Sequence, residues 1–173
     1  MAGDRTGNVR GVDRESLRSA QAPLKERYRE DPASALVTLS ATGDLGDGVT
    51  CSVETGRAIA EAGLHPATGG DGTAVCSGDM LLQALVACAG VTLRAVATSL
   101  DLPVSGGTVR AEGDLDFRGT LGVDKEAPVG FTAIRLTFDV DMPEESRETL
   151  LKLTRRYCVV LRTIENGVPV AVA

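Results

Sequence analysis

The stretch "GDMLLQALVACAGVTLRAVATSL" (Gly78–Leu100) decides how the rest of the chain is read. Its polar residues are Asp79, Gln83, Thr92, Arg94, Thr98 and Ser99, so a helix there is apolar nearly all round and belongs at the centre of a fold. Such a helix would run roughly 35 Å at 1.5 Å per residue. Ser77 is placed to cap it, and Asp79 puts a negative charge in the first turn, where the helix dipole favours one. Ala84, Ala87, Ala89, Gly90, Ala95 and Ala97 keep the helix thin, so another helix can approach closely. Cys88 lies at its middle, flanked at helical spacing by Leu81, Ala84, Leu85, Val91, Thr92 and Ala95. In that setting it reads as a small core residue. A free thiol is only about 3% thiolate at neutral pH, and burial lowers the fraction further. Being mid-helix, Cys88 is expected to have no helix N-terminus for activation. A guanidinium or ammonium would have to come from elsewhere, and local spacing supplies none.

Working outward, two segments alternate cleanly with period two. In "TVRAEGDLDFRG" Val109, Ala111, Leu115 and Phe117 face one way, and Arg110, Glu112, Asp114, Asp116 and Arg118 the other. In "AIRLTFDVDM" Ile134, Leu136, Phe138 and Val140 oppose Arg135, Thr137, Asp139 and Asp141. Each is a strand with one wet face, which predicts antiparallel pairing with helices behind. A second helix starts near "MPEESRE", carries Leu150, Leu153, Tyr157 and Leu161 on one stripe, and ends at Gly167. "VPVAVA" after it reads as a last short strand. Upstream, "SALVTLSA" and "GVTCSVET" read as a hairpin around the turn cluster "TGDLGDG", with Cys51 on the apolar face of its second strand. The Gly/Ala-rich "GRAIAEAGLHPATGGDGTAV" reads as a long loop. Strands and two real helices without strict alternation make the chain α+β.

The bulk numbers fit one domain. The chain has 173 residues, 43% hydrophobic and 24% charged, with residues 1–12 a loose tail and residues 13–173 the domain. Residues 13–31 have a helical charge pattern interrupted by Pro23. Net charge is −6, and no basic run or basic patch interleaved with aromatics is present, which argues against nucleic acid. The N-terminus has no apolar signal region, and the apolar run Met80–Leu93 is too short for a membrane span, so no membrane is expected and the location is cytoplasmic. The four cysteines form no CxxC or Cys/His cluster, and His65 is the single histidine, which argues against a metal or a disulfide scaffold. Cys76 precedes the central helix in a Gly-rich loop, and His65 reads as a loop-fixing donor.

Cys158 follows Tyr157 late in the second helix, among Arg155, Arg156 and Arg162. It is either a half-buried small residue or a thiol that resolves a sulfenic acid on Cys88, which requires the two helices to lie side by side. "CSGDMLLQALVACAGVTLRAV", followed seventy residues after Cys88 by "LTRRYCVVLRTI", resembles the OsmC/Ohr family, the osmotically inducible and organic-hydroperoxide-resistance proteins. The resemblance extends from Ser34 onward, and "YC" at Tyr157–Cys158 places the chain nearest the OsmC-like branch with that pair. It implies an intertwined homodimer with antiparallel sheets wrapped around two long central helices. It implies a thiol peroxidase for organic, lipid-like hydroperoxides, with Cys88 peroxidatic, Cys158 resolving, a dithiol reductant of lipoyl or thioredoxin type, and no metal or flavin cofactor.

Ohr-type members carry a glutamate ten residues before the reactive cysteine, and Gly78 stands there. Asp79, nine residues before, fits the "YC" branch, but on the far side of the helix it would act only through a bridging arginine or across a dimer. The family's hairpin-turn arginine is missing from "TGDLGDG", and Arg57 is the candidate substitute. The rival reading is a non-catalytic dimer of the same fold binding a hydrophobic small molecule or acyl ligand. A purely structural stress protein is third.

Overall fold

The computed structural model describes residues 60–122 and 124–172 in full, the backbone of 43–45, 50–54 and 59, and positions 13–15, 18, 19, 21, 22, 26 and 30. Arg14, Glu15, Arg18, Ser19, Gln21, Ala22, Glu26 and Glu30 have helical backbone, as the charge pattern of 13–31 predicts, and the rest of that stretch lies outside the described residues. So do "SALVTLSA" and Arg57.

Strands β1 (Gly43–Leu45), β2 (Thr50–Glu54), β3 (Ile59–Gly63) and β4 (Val75–Cys76) form one sheet in that order. Two expectations are corrected here. The "TGDLGDG" cluster is not all turn, because its Gly43–Leu45 pairs antiparallel with Cys51–Val53. The segment read as one long loop contains β3, antiparallel to β2, and β4, parallel to β3 through Ala62↔Val75 and Gly63↔Cys76. "IAEAG" has no β-branched alternation to announce a strand; its partner decides its conformation.

Strands β5 (Gly106–Leu115) and β6 (Phe131–Asp141) form a second, two-stranded antiparallel sheet. Val109 faces Phe138, Ala111 faces Leu136 and Gly113 faces Ile134 on one side, while Glu112 faces Arg135 on the other. The alternation read from sequence is thus observed, and Arg135 makes a bidentate ion pair with Asp114 on the wet side. The Phe131 ring lies over Gly113, where any Cβ would stand 2.3 Å from a ring carbon. The strand was expected to reach Phe117 but stops at Leu115. Asp116 accepts from the Arg118 N–H and caps a short helical turn, α2 (Phe117–Thr120), because that carboxylate offers the backbone a local partner. (The helices are numbered from α1, Ser77–Leu100.) Phe117 leaves the strand face and stacks on His65, with ring centroids 5.1 Å apart.

Helix α1 begins one residue earlier than expected: Ser77 is its first helical residue and Cys76 its N-cap, with no side-chain capping bond. Its buried stripe is Leu85, Ala89, Leu93 and Ala97, one residue per turn. Leu93 and Ala97 pack with Val140 and Leu150 into the main core, edged by Val96, Phe138 and Leu151. The helix is not enclosed all round, since Val91 is 71% exposed. At 24 residues it is long and apolar enough to cross a membrane by length and composition, contrary to the shorter run read from sequence. Here it serves as a core helix, with one stripe sealed against the neighbouring elements.

The second helix is two helices. α3 (Glu144–Tyr157) ends and α4 (Val159–Asn166) begins at Cys158, whose φ of −71° and ψ of 109° are extended. The buried stripe is therefore Leu150, Thr154 and Cys158 rather than Leu150, Leu153, Tyr157 and Leu161, and Tyr157 is exposed. Glu165 of α4 accepts from Arg155 of α3 at 2.7 Å and from Arg162 at 2.8 Å, bracing the elbow. Gly167 ends α4 as expected, but "VPVAVA" forms no strand, and its valines are exposed.

Candidate active site

The elbow changes the chemistry of Cys88. The first N–H groups of any helix have no partner within it, and they carry the positive end of its dipole. Because α4 starts at Val159, the N–H groups of Val159 and Val160 are such groups, and both favour the charged form of the Cys88 sulfur. The Cys158 thiol and the Thr92 hydroxyl lie beside it as well and favour its charged form. Burial pushes the Cys88 thiol up, but the Val160 N–H, Cys158, Thr92 and the Val159 N–H together outweigh that and hold it below the ordinary thiol value. The expectation that Cys88 has no helix N-terminus to draw on is overturned: α1 gives it none, and α4 does. α4 has no acidic residue in its first turn, so nothing on that helix competes with the thiolate for its positive end.

Cys158 is fully buried and is the N-cap of α4. Its own N–H donates to the Thr154 carbonyl at 2.9 Å, and its carbonyl accepts from the Arg162 N–H at 2.9 Å, so the backbone at the elbow is held from both sides. Burial raises the Cys158 thiol; the Leu161 N–H opposes this, while the hydrogen bond and negative charge of Cys88 add to the rise. Of the two thiols, Cys88 is therefore the one that ionises more readily. Both thiols are free.

Apolar cavities flank the elbow on two sides. One of about 620 Å³ lies between α1 and α3, walled by Val91, Thr92, Ala95, Val96, Leu153 and Tyr157. The other, about 530 Å³, is walled by Leu81, Leu85, Phe131, Ile134, Leu161 and Ile164. Arg156 stacks over the Tyr157 ring at 5.4 Å.

The other sequence candidates lie elsewhere. Asp79 is exposed in the first turn of α1, beside Leu82, Gln83, Val86, Ala87 and Ala111, about 13 Å along the axis from Cys88. Cys76 lies in a separate cavity with His65 and Phe117. His65 Nδ1 accepts from the Ala67 N–H at 3.0 Å, so it fixes its loop as an acceptor rather than the expected donor. Only the backbone of Cys51 is described. Among the described residues, no group of three or more His, Cys, Asp or Glu side chains could hold a metal ion. Sequence reasoning missed Thr92 and the Val159–Val160 amides. Thr92 stands at i+4 from Cys88, a spacing that could have singled it out; the amides left only the faint signal of two adjacent β-branched residues.

Solved structures share this architecture. An OsmC-like protein from Mycoplasma pneumoniae matches with a TM-score of 0.63 at 15% identity, over 76% of this chain and 89% of that one. An organic hydroperoxide resistance protein OsmC from Legionella pneumophila matches with 0.61 at 18% identity, over 77% and 93%. The organic hydroperoxide resistance protein OhrB of Bacillus subtilis matches with 0.52 at 19% identity, over 77% and 94%. At such identities these likenesses show the fold. No curated protein matches the chain in sequence. The sequence profile of the OsmC-like proteins matches residues 70–173, more than half of the chain, from the loop before α1 through both thiols and the elbow between α3 and α4, and on that ground the chain belongs to the OsmC-like family.

Proposed function

We propose that the chain is a thiol-dependent peroxidase that reduces organic hydroperoxides. One observation carries the reading: the Cys88 sulfur lies beside the N-terminus of α4 and a second, fully buried thiol, Cys158, which together make Cys88 the more readily ionised of the pair. A thiolate supplied with fixed donors is a nucleophile, and a second thiol in contact is a resolving group. The Cys88 thiolate attacks the terminal oxygen of R–O–O–H, so that an S–O bond forms, the O–O bond breaks and the alcohol leaves. Cys158 condenses with the sulfenic acid, releasing water and leaving a Cys88–Cys158 disulfide. A dithiol reductant, lipoyl or thioredoxin in type, returns both thiols. The apolar cavities on either side of the elbow favour an organic peroxide over hydrogen peroxide.

In this reading the protein is a cytoplasmic homodimer. A second copy would cover the face of α1 around Val91 that the single chain leaves open. Asp79 and Arg57 remain candidates for orienting charge near Cys88, Asp79 from across a dimer. The same cavities support a second reading, a dimer that holds a hydrophobic ligand without chemistry. Peroxide consumption separates the two: Cys88→Ser should abolish turnover of cumene hydroperoxide while the protein stays folded. Unchanged consumption in that variant would exclude the peroxidase.

A further inference from the structure

Cys76 stands apart from the chemistry at the elbow, with roughly 18 Å of helix axis between it and Cys88. It lines a cavity of its own, about 410 Å³, together with His65, Leu115, Phe117 and Phe131. A cavity of that size holds a small molecule. The thiol is free and half-exposed, and its sulfur faces an open spot in this wall. Gly78 has no side chain there, and a Cβ on it would stand 3.6 Å from the Cys76 Sγ, 3.5 Å from the Phe131 ring and 3.8 Å from Leu115 Cδ1. A molecule seated in the cavity therefore meets the sulfur directly. Across the wall the His65 ring stacks on Phe117. Its Nδ1 accepts from the Ala67 N–H and so carries no proton, which puts the ring N–H on Nε2. Nε2 has no hydrogen-bond partner among the described residues. No described Lys, Arg, Asp or Glu lines the cavity, so a charged ligand would find no counter-charge.

We propose that this cavity is a second, covalent site, in which the Cys76 thiol adds to a neutral α,β-unsaturated carbonyl compound with an apolar body, its carbonyl oxygen held by the Nε2–H of His65. The inference goes beyond the peroxidase reading and does not rest on it. Each part of such a ligand answers one feature of the wall. The apolar body covers Leu115 and the Phe117 and Phe131 rings, the carbonyl oxygen takes the one uncommitted N–H, and the β-carbon meets the sulfur. In the addition, Cys76 gives its proton to water and the sulfur forms an S–C bond to the β-carbon. The C=C π pair moves towards the carbonyl oxygen as an enolate, whose charge the His65 N–H stabilises. The α-carbon then takes a proton from water, and a thioether with an intact carbonyl remains. Nothing is oxidised or reduced overall, so the site needs no second thiol. Cys76 is the one cysteine among the described residues of this wall.

The test uses the full chain and two enals that differ only in the length of their bodies, trans-2-nonenal and trans-2-butenal. Adducts are fixed with borohydride and read at Cys76 by peptide mapping, as a rate against enal concentration, with glutathione as the free-thiol reference. We expect nonenal to add to Cys76 ~10-fold or more faster than butenal after correction for glutathione, because its longer body is buried in the cavity, and its rate to saturate. Gly78→Leu fills the open spot beside the sulfur and should bring the two enals within about threefold of each other. His65→Asn keeps an acceptor for the Ala67 N–H and removes Nε2–H; it should lower the saturating rate by ~10-fold while the half-saturating concentration moves by less than about threefold. Thermal melts near wild type establish folding of the variants, and the wild-type comparison of the two enals stands without them. Equal corrected rates at wild-type Cys76 would overturn the proposal, as would a nonenal preference that survives in Gly78→Leu. An undiminished saturating rate in His65→Asn would also overturn it, since the carbonyl would then have no donor. Peroxide turnover by the same wild-type sample reads Cys88 separately, so the two readings fail independently.

Discussion

Two helices in this molecule begin at a cysteine, and the two cysteines have opposite settings. Cys76 is the N-cap of the 24-residue α1, with φ −69° and ψ 136°, half-exposed and without a capping bond. Cys158 is the N-cap of the eight-residue α4, with φ −71° and ψ 109°, fully buried. The longer helix already has a negative charge, Asp79, in its first turn. The shorter helix has no acid there, and the sulfur at its amides comes from α1, seventy residues away in the chain. The difference teaches that helix length is a poor guide to activation. The field near a terminus is set by its first-turn groups and falls off within that turn. What counts is which charge reaches the amides.

The hardest test of this contrast is to remove the sulfurs at the elbow. Cys88→Ser should abolish peroxide turnover, whereas Cys76→Ser should leave it within about twofold, since the thiolate and its resolving partner are the chemistry. In Cys158→Ser, one equivalent of hydroperoxide should leave Cys88 as sulfenic acid, and excess should drive it to sulfinic acid. In the wild type the same pulse should give a Cys88–Cys158 disulfide with Cys51 and Cys76 reduced, read by peptide mapping. A Cys76–Cys88 bridge would contradict the geometry.

Next in size is the difference in nucleophilicity. Iodoacetamide at neutral pH should label Cys88 roughly tenfold faster than Cys76, although both are half-exposed. The rate at Cys88 should rise with pH as the thiol ionises and then level off. Its depressed pKa places the midpoint below that of an ordinary thiol. A midpoint above that value would mean that burial, not the donors, governs the thiol.

The contrast can also be sharpened by making α4 resemble α1. Val159→Glu puts an acid in the first turn of α4 at an exposed position, and should slow Cys88 alkylation by roughly two- to fivefold, more at low salt. The smallest expected effect is the converse change. Asp79→Asn should cost about 0.3–1 kcal/mol of stability, read by denaturant melts, with peroxide turnover within twofold. A tenfold loss of turnover would instead return Asp79 to the catalytic machinery, acting from across a dimer.

How much of this was legible in sequence depends on how local each feature is. Strands β5 and β6 were readable because Val109–Ala111 and Ile134–Leu136–Phe138 alternate with charge at period two, and one face is buried. Helix α1 was readable from its apolar run, although which of its residues would stay exposed, Val91 above all, was not. Strands β1, β3 and β4 were lost because "GDL", "IAEAG" and "VC" become strands only through their neighbours. The elbow was lost for a different reason. Leu150, Leu153, Tyr157 and Leu161 keep a helical period straight through it, and a single ψ at Cys158 makes the break. The two cysteines were nameable as a pair through the family resemblance. Their hydrogen-bond donors were not, because Val159 and Val160 act through their backbone, which carries no sequence signature.

That break has a consequence for anyone who engineers the protein. In an unbroken helix the N–H groups of Val159 and Val160 would donate to the carbonyls of Arg155 and Arg156, two bonds of ~1 kcal/mol each. At the elbow those bonds are withheld, and the same two groups are turned on a sulfur instead. Thermal robustness and reactivity therefore pull in opposite directions along 155–162. Substitutions that favour helix there would straighten the chain, raise its melting temperature and blunt Cys88. A screen for heat-tolerant variants that lacked an activity readout would enrich for the least reactive ones.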